Sequence, residues 1–151
     1  MRILANNKKA YFDFEILDKI EAGILLKGWE VKSVKAGWIN LSGAYIKEKG
    51  GELFLTNTRI PKWKTANYVS KDEESIDRKL LLKKNEIRNL KLKANQNRST
   101  IVPLEVYEND KGLVKVLIGL AKGKKKYDKR QKLKEKDIKR RIEMDRKEYN
   151  F

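Results

Sequence analysis

The basic C-terminal stretch constrains the fold most, because it carries much charge and too few apolar side chains to form a core. Residues 122–151 hold 14 Lys and Arg against 6 Asp and Glu, which is half of the chain's net charge of +16. Ile138, Ile142 and Tyr149 make only a thin apolar line there. We expect a tail that is disordered alone and becomes helical when anions neutralise it. Residues 1–121 are then expected to form the folded domain.

Short alternating segments separated by turn residues predict that this domain is mainly β, a small antiparallel barrel. Phe12, Phe14 and Ile16 alternate with acidic residues, which is strand periodicity. Gly50-Gly51 is typical of a hairpin turn, and Pro103 within a strand indicates an edge or a bulge. The predicted strands, about six, are 11–17, 24–26, 39–47, 52–60, 99–108 and 112–121. The predicted short helices are 28–36 and a segment toward the middle of 78–96, with Asn85 as its candidate cap.

The residue types that are absent exclude several kinds of chemistry. The chain has no Cys and no His, so it lacks thiolate nucleophiles, disulfides and the usual zinc ligands, and also the commonest general base. The acidic run at 72–74 lies in a polar loop, where solvated carboxylates are expected. The longest apolar candidate, 114–121, is far below the roughly 18 residues of a membrane helix. We therefore expect a cytoplasmic protein that is not an enzyme and uses no cofactor or metal.

The excess positive charge predicts a polyanionic partner, either a nucleic acid or an anionic membrane surface. A surface-bound helix needs a broad apolar face, which the tail lacks, so RNA is favoured over membrane. Tyr127, Tyr149 and Phe151 are able to stack on bases, although Tyr127 packing against the barrel is an equally good interpretation. Trp63 and Tyr68, in the turn-rich connection 61–77, either pack down or stack on a ligand, and core packing is favoured.

Three segments together resemble one protein family. They are EAGILLKGWEVKSVKAG (21–37), RKLLLKKNEI (78–87) and VKVLIGLAKGKKKYDKR (114–130), and they resemble small protein B, the SsrA-binding proteins of bacteria. The resemblance implies an oligonucleotide-binding-type barrel with flanking helices. It also implies an adaptor that binds the tRNA-like domain of transfer-messenger RNA and delivers it to stalled ribosomes. The tail would act in the decoding centre and the empty mRNA channel, and the free protein is expected to be a monomer.

The resemblance also implies which residues contact RNA. On the domain they are Glu21, Leu81 and Lys83; at its junction with the tail they are Lys122, Lys124, Lys125 and Lys126. In the tail, at the decoding centre, they are Tyr127, Asp128, Lys129 and Arg130, with Asp128 expected to cap a helix.

Three of these positions have roles that the sequence leaves open. The family often has Asn or His at the position of Lys83, and a lysine has no acceptor, so phosphate contact is expected there instead. Glu21 is expected to accept from a base amino group, a ribose 2′-hydroxyl or a neighbouring lysine. Leu81 packs either beneath an unstacked base or in the core.

Two other functional classes remain beside the adaptor. A general ribosomal or RNA-chaperone protein of the same barrel type would bind unrelated RNAs equally well. A nuclease would cleave RNA, although the sequence contains no catalytic triad or metal cluster that would support this class.

Overall fold

One antiparallel β-sheet forms most of the structure, a computed structural model that describes residues 1–124. Its seven strands are β1 Arg2–Asn6, β2 Phe14–Ile24, β3 Tyr45–Lys49, β4 Glu52–Thr56, β5 Arg78–Leu81, β6 Thr100–Glu108 and β7 Val114–Gly123. The helices are α1 Lys8–Asp13, α2 Gly28–Lys35 and α3 Lys84–Asn97, with a 3-10 helix at Asp72–Ser75.

The strand order produces the barrel that the sequence predicts. In space the strands run β1-β6-β7-β2-β5-β4-β3, and every paired neighbour is antiparallel. The sheet curls until β3 contacts β6, so the two halves enclose a common interior. The fold is therefore mainly β with short flanking helices, as expected.

The main core fills the inside of the curled sheet. Leu55 of β4, Leu80 of β5 and Val116 of β7 are fully buried there. The helices contribute Trp29, Val34, Ile87 and Leu90 to the same cluster. Burying each large apolar side chain of this kind is worth roughly 1.5–3 kcal/mol.

A second, smaller cluster lies between α1 and the strands β6 and β7. Ala10 of α1 packs with Val102, Leu104 and Ala121, all of them buried. The register of β6 against β7 shifts between Pro103 and Glu105, so the prediction of a bulge at Pro103 is confirmed. This cluster holds the last residues of β7 against the N-terminal part of the chain.

The predicted strands 11–17 and 24–26 are wrong in their bounds. The side chain of Asn7 accepts a hydrogen bond from the Ala10 amide at 3.2 Å, which caps α1 and makes residues 8–13 helical. One long strand, β2, then runs from Phe14 to Ile24, so it includes the end of the first predicted segment and only the first residue of the second. The first strand, β1, pairs with β6 and was not predicted.

The helix predicted toward the middle of 78–96 is confirmed as α3, which extends to Asn97. Residues 78–81 form β5, which fills the gap between β2 and β4 in the sheet, and α3 begins only at Lys84. Asn85 does not cap this helix. Lys83 occupies the cap position, and its amide donates to the carboxylate of Glu86 at 2.9 Å.

The predicted hairpins and the predicted helix at 28–36 are confirmed, the helix as α2. Gly50 and Gly51 adopt positive φ angles of 61° and 79° and join β3 to β4, although both strands are shorter than predicted. The turn after Glu108 joins β6 to β7, where the Asn109 amide donates to the Leu113 carbonyl at 2.9 Å.

Candidate nucleic-acid interface

The outer face of the sheet brings together two of the residues expected to contact RNA. Gly23 of β2 pairs with Leu81 of β5 on one side and with Lys115 of β7 on the other. Side chains two positions apart on a strand share a face, so Glu21 lies on the same side as these residues. Glu21 and Leu81 therefore belong to one surface, which Lys115 joins.

Glu21 is held by two neighbouring side chains. The hydroxyl of Tyr107 donates to Glu21 Oε2, and the ammonium of Lys115 lies 4.0 Å from Glu21 Oε1. Tyr107 is buried, whereas Glu21 is about half exposed. Burial first, and then the hydrogen bond to the Glu21 carboxylate, raise the pKa of Tyr107 above its ordinary value. The carboxylate is thus presented to solvent in a fixed orientation.

Leu81 is not a core residue. Its side chain is 49% exposed and stands beside Leu25 at 60% and Leu113 at 53%. These leucines and Gly23 line an open groove of about 330 Å³ whose polar end is Lys115. Three exposed leucines around one groove make an apolar surface suited to the face of a planar ligand.

Lys83 lies two residues beyond Leu81, where the chain leaves β5 and enters α3. Its side chain is exposed and forms no ion pair with any residue from 1 to 124. Lys84 and Arg88, one and five positions further on, are also exposed and have no ion-pair partner in that part of the chain. The start of α3 therefore offers exposed cations, and phosphate contact by Lys83 stays a prediction.

Lys122 and Lys124 lie at the other end of β7 from Lys115. Lys122 is exposed and pairs with Glu15. It lies five residues along β7 from Leu117, the partner of Glu21, a distance of about 17 Å at the usual rise per residue. Lys124 is tied to the N-terminal part of the chain, because its ammonium donates to the Tyr11 carbonyl at 3.2 Å. These two lysines are thus not part of the Glu21 surface.

The other expected contact residues lie outside the described residues. They are Lys125, Lys126, Tyr127, Asp128, Lys129 and Arg130.

Sequence reasoning missed Tyr107 and Lys115. They are cross-strand partners in the β6–β7 hairpin, which the sequence does predict. Counting pairs outward from the turn would have placed them opposite each other, but Lys115 is hidden in an apolar run and Tyr107 looks like a core residue.

The aromatic residues of the long 57–77 connection divide between core and surface. Trp63 packs against the main core and stacks on Trp38 with ring centres 5.1 Å apart, as predicted. Tyr68 is 76% exposed, so the prediction that it packs down is wrong.

Residues 1–124 contain no membrane-spanning helix and no acidic metal site. Their helices are all too short or too polar to span a membrane. Their acidic side chains nowhere gather into a group that could hold a metal ion.

A curled antiparallel sheet with a cationic and partly apolar outer face places this chain among small basic β-domain proteins. The family model described as SmpB protein matches residues 4–148. The chain belongs to this family.

Relatives match over nearly the whole chain. The SsrA-binding protein of Thermosipho africanus is 46% identical over 142 residues, covering 94% of this chain and 95% of the relative. The SsrA-binding protein of Helicobacter hepaticus is 44% identical over 149 residues, covering 99% and 96%. A solved chain described as "tmRNA-SmpB: a journey to the center of the bacterial ribosome" is 45% identical, with a TM-score of 0.64 over 81% of this chain and 85% of that one.

Proposed function

We propose that this protein is the RNA-binding adaptor of trans-translation, which binds the tRNA-like domain of transfer-messenger RNA and delivers it to stalled ribosomes. The observation that carries the proposal is the match to SsrA-binding proteins along nearly the full length of both chains. The protein acts in the cytoplasm and without catalysis of its own.

The outer face around Glu21 and Leu81 is the RNA-binding surface of the domain. It combines a fixed acceptor, an exposed apolar groove and cations at the start of α3, which are the three kinds of group that hold a folded RNA with unstacked bases. Lys83 contacts phosphate as a point charge, in place of the hydrogen bonding that an Asn or His would provide.

The basic tail carries the ribosomal step. Lys129 and Arg130 hold phosphates of small-subunit RNA, Tyr127 stacks at the decoding centre and Asp128 caps a helix that forms on binding. Lys122 and Lys124 begin this cationic path at the end of β7. An mRNA that fills the channel excludes the tail by volume, so the empty channel of a stalled ribosome is recognised.

Competition binding of the full-length chain tests the proposal. We expect the tRNA-like domain to displace a labelled tRNA-like domain far better than an unrelated RNA hairpin of equal length does. Equal displacement by both RNAs would instead identify a general RNA chaperone. Cleavage of either RNA during the assay would identify an enzyme.

A further inference from the structure

Lys124, the last residue that the structure describes, is attached to the C-terminal end of α1. Its amide donates to the Asp13 carbonyl at 3.1 Å, and its ammonium donates to the Tyr11 carbonyl at 3.2 Å. The last carbonyls of a helix have no partner within the helix and carry a partial negative charge, so a nearby cation stabilises them. The last turn of α1 contains no basic residue, and Lys124 supplies this cation from 113 residues beyond Tyr11 in the sequence. We call these two contacts the α1 clamp.

The helix α1 is itself attached to β6 at both of its ends. Before its first turn, the Asn7 amide donates to the Leu104 carbonyl and the Asn7 side chain donates to the Pro103 carbonyl, both at 2.8 Å. Near its other end, the Tyr11 hydroxyl donates to the Glu105 carboxylate at 3.2 Å. Between these contacts the helix packs on the smaller core cluster. The three partners are the residues of the β6 bulge, which is therefore the attachment site of α1.

Lys122 and Lys124 lie two residues apart in the sequence but in different surroundings. Lys122 is exposed, and its side chain has no ion-pair partner among residues 1–124. Lys124 is half-buried, and its ammonium is directed at the end of α1. An ammonium that already donates to a helix carbonyl has fewer donors left for phosphate than a solvated one has. Of the two side chains, Lys122 is therefore the better phosphate ligand and Lys124 the better anchor.

We infer that Lys124 is a positioning residue, which fixes the point and the direction from which the tail leaves the domain through the α1 clamp. The inference rests on the proposed function, in which the domain and the tail are two linked binding units. A linker that is fixed at its origin loses less conformational entropy when the second unit binds, and it raises the effective concentration of that unit at its site. Release of the α1 clamp therefore weakens the ribosomal step and leaves RNA binding by the outer face unchanged.

Hydrogen exchange of the amide at position 124, measured in the free full-length chain, tests whether the α1 clamp forms. We expect slow exchange in the wild type, because this amide donates to the Asp13 carbonyl. Lys124→Met removes the ammonium and keeps the apolar stem, and Asn7→Ala removes the cap of α1, so each should speed this exchange roughly ten-fold. Lys122→Met is the matched control, since it loses the same charge and should leave the exchange rate unchanged. Fast exchange in the wild type, or equal rates in all four chains, would overturn the inference.

Peptide tagging on stalled ribosomes, measured with chains saturated with transfer-messenger RNA, separates positioning from phosphate contact. We expect Lys124→Met and Asn7→Ala each to slow tagging roughly three- to ten-fold and to keep the wild-type affinity for the tRNA-like domain. Their two losses should be strongly non-additive, because both variants release the same clamp. The loss from Lys122→Met should instead add to that from Asn7→Ala. Additive losses for Lys124→Met and Asn7→Ala would overturn the inference and identify Lys124 as a phosphate contact.

Tyr11→Phe keeps the test decisive if Asn7→Ala fails to fold. It keeps the ring and removes only the hydroxyl that donates to Glu105, so it loosens the other end of α1. The same non-additivity with Lys124→Met is then expected, and additive losses would again overturn the inference. Wild-type tagging combined with fast exchange at position 124 would overturn the inference alone. A wild-type chain that supports no tagging would overturn the proposed function, and the inference with it.

Discussion

The buried Tyr107 donates a hydrogen bond to the exposed carboxylate of Glu21. The pKa of Tyr107 therefore depends on whether this contact is formed. Burial is the larger cause of its raised pKa and the Glu21 carboxylate the next. A folded-state pKa above the unfolded value means that the contact contributes stability below about pH 10, and that this stability is lost as the pH rises through the folded pKa.

We therefore expect Tyr107 to titrate above the ordinary tyrosine range in an NMR titration of ring resonances. Glu21→Gln should lower its pKa only part of the way, because burial remains. Glu15→Gln removes an exposed acid far along β2 and should leave the titration unchanged. A Tyr107 pKa in the ordinary range would show that the hydroxyl does not hold Glu21.

Arg78 is almost fully buried and joins three separate parts of the chain. Its Nε donates to Glu30 of α2 at 2.7 Å, and its other nitrogens donate to the Thr58 carbonyl at 2.5 Å and the Glu74 carbonyl at 2.9 Å. It thereby fixes the long connection before β5 against the helix that covers the core. A lysine has one nitrogen and cannot replace this planar fork.

Arg78→Met should lower the free energy of unfolding by about 3–5 kcal/mol, because Glu30 is left as a buried, unpaired charge. Arg78→Lys should also be destabilising, and urea unfolding measures both. The neighbouring Lys79→Met is the control, since Lys79 is 40% exposed and its single ion pair, with Glu52, is long at 4.0 Å. We expect its free energy of unfolding to change by less than about 0.5 kcal/mol. Equal effects at positions 78 and 79 would contradict this account of Arg78.

The sequence gives no sign that Arg78 is buried. Its partners come from residues 30, 58, 73 and 74, and a hydrophobic pattern assigns a charged residue to the surface. For the same reason the sequence does not single out Tyr107 and Lys115. Both contact Glu21 only because β6 and β7 lie beside β2 in the sheet. Family resemblance supplied Glu21 and Leu81, but the groups that position and surround them required the fold.

At the scale of elements, the sequence predicts those elements that local turn residues determine, and it misses those that form only by pairing with distant strands. Gly50-Gly51 specifies a hairpin with no help from the rest of the chain, and it was predicted correctly. Residues 78–81 form a strand because β2 and β4 pair with them on either side. In the sequence they directly precede a helical segment, so their strand conformation is not evident. Residues 2–6 form a strand only one residue longer, which depends on pairing with β6.

Truncation near the end of β7 tests whether the domain folds without the tail. Leu120 and Ala121 are buried, and the Lys124 amide donates to the Asp13 carbonyl at 3.1 Å. A chain ending at 124 should keep a melting temperature close to that of the full chain in circular dichroism. A chain ending at 119 loses a buried leucine and should be destabilised by more than about 2 kcal/mol. Failure of the longer fragment to fold would show that the tail is part of the domain.

At the scale of the whole molecule, we expect the domain and the tail to carry separate steps of the proposed function. Charge reversal at Lys129 and Arg130 should leave binding of the free RNA unchanged, because we assign that step to the outer face, but should abolish peptide tagging on stalled ribosomes. Reversal at Lys62 and Lys64, which are exposed in the connection between β4 and β5, makes the same change in net charge and should spare tagging. Tagging that survives reversal at 129 and 130 would refute the division.

The salt dependence of RNA binding distinguishes phosphate contacts made by the basic residues from base contacts made by the outer face. Neutralising about six phosphates gives a slope of roughly −4 to −5 in log K against log salt concentration. We expect this slope in filter binding for the full chain. A chain ending at 124 should change it by less than about one, because we assign binding of the free RNA to the domain. Glu21→Gln should lower the affinity at every salt concentration without making the slope less steep, because a base contact releases no counterions. A slope near zero would contradict phosphate-led binding. A markedly shallower slope for Glu21→Gln would mean that Glu21 acts on the backbone, through its lysine neighbour, rather than on a base.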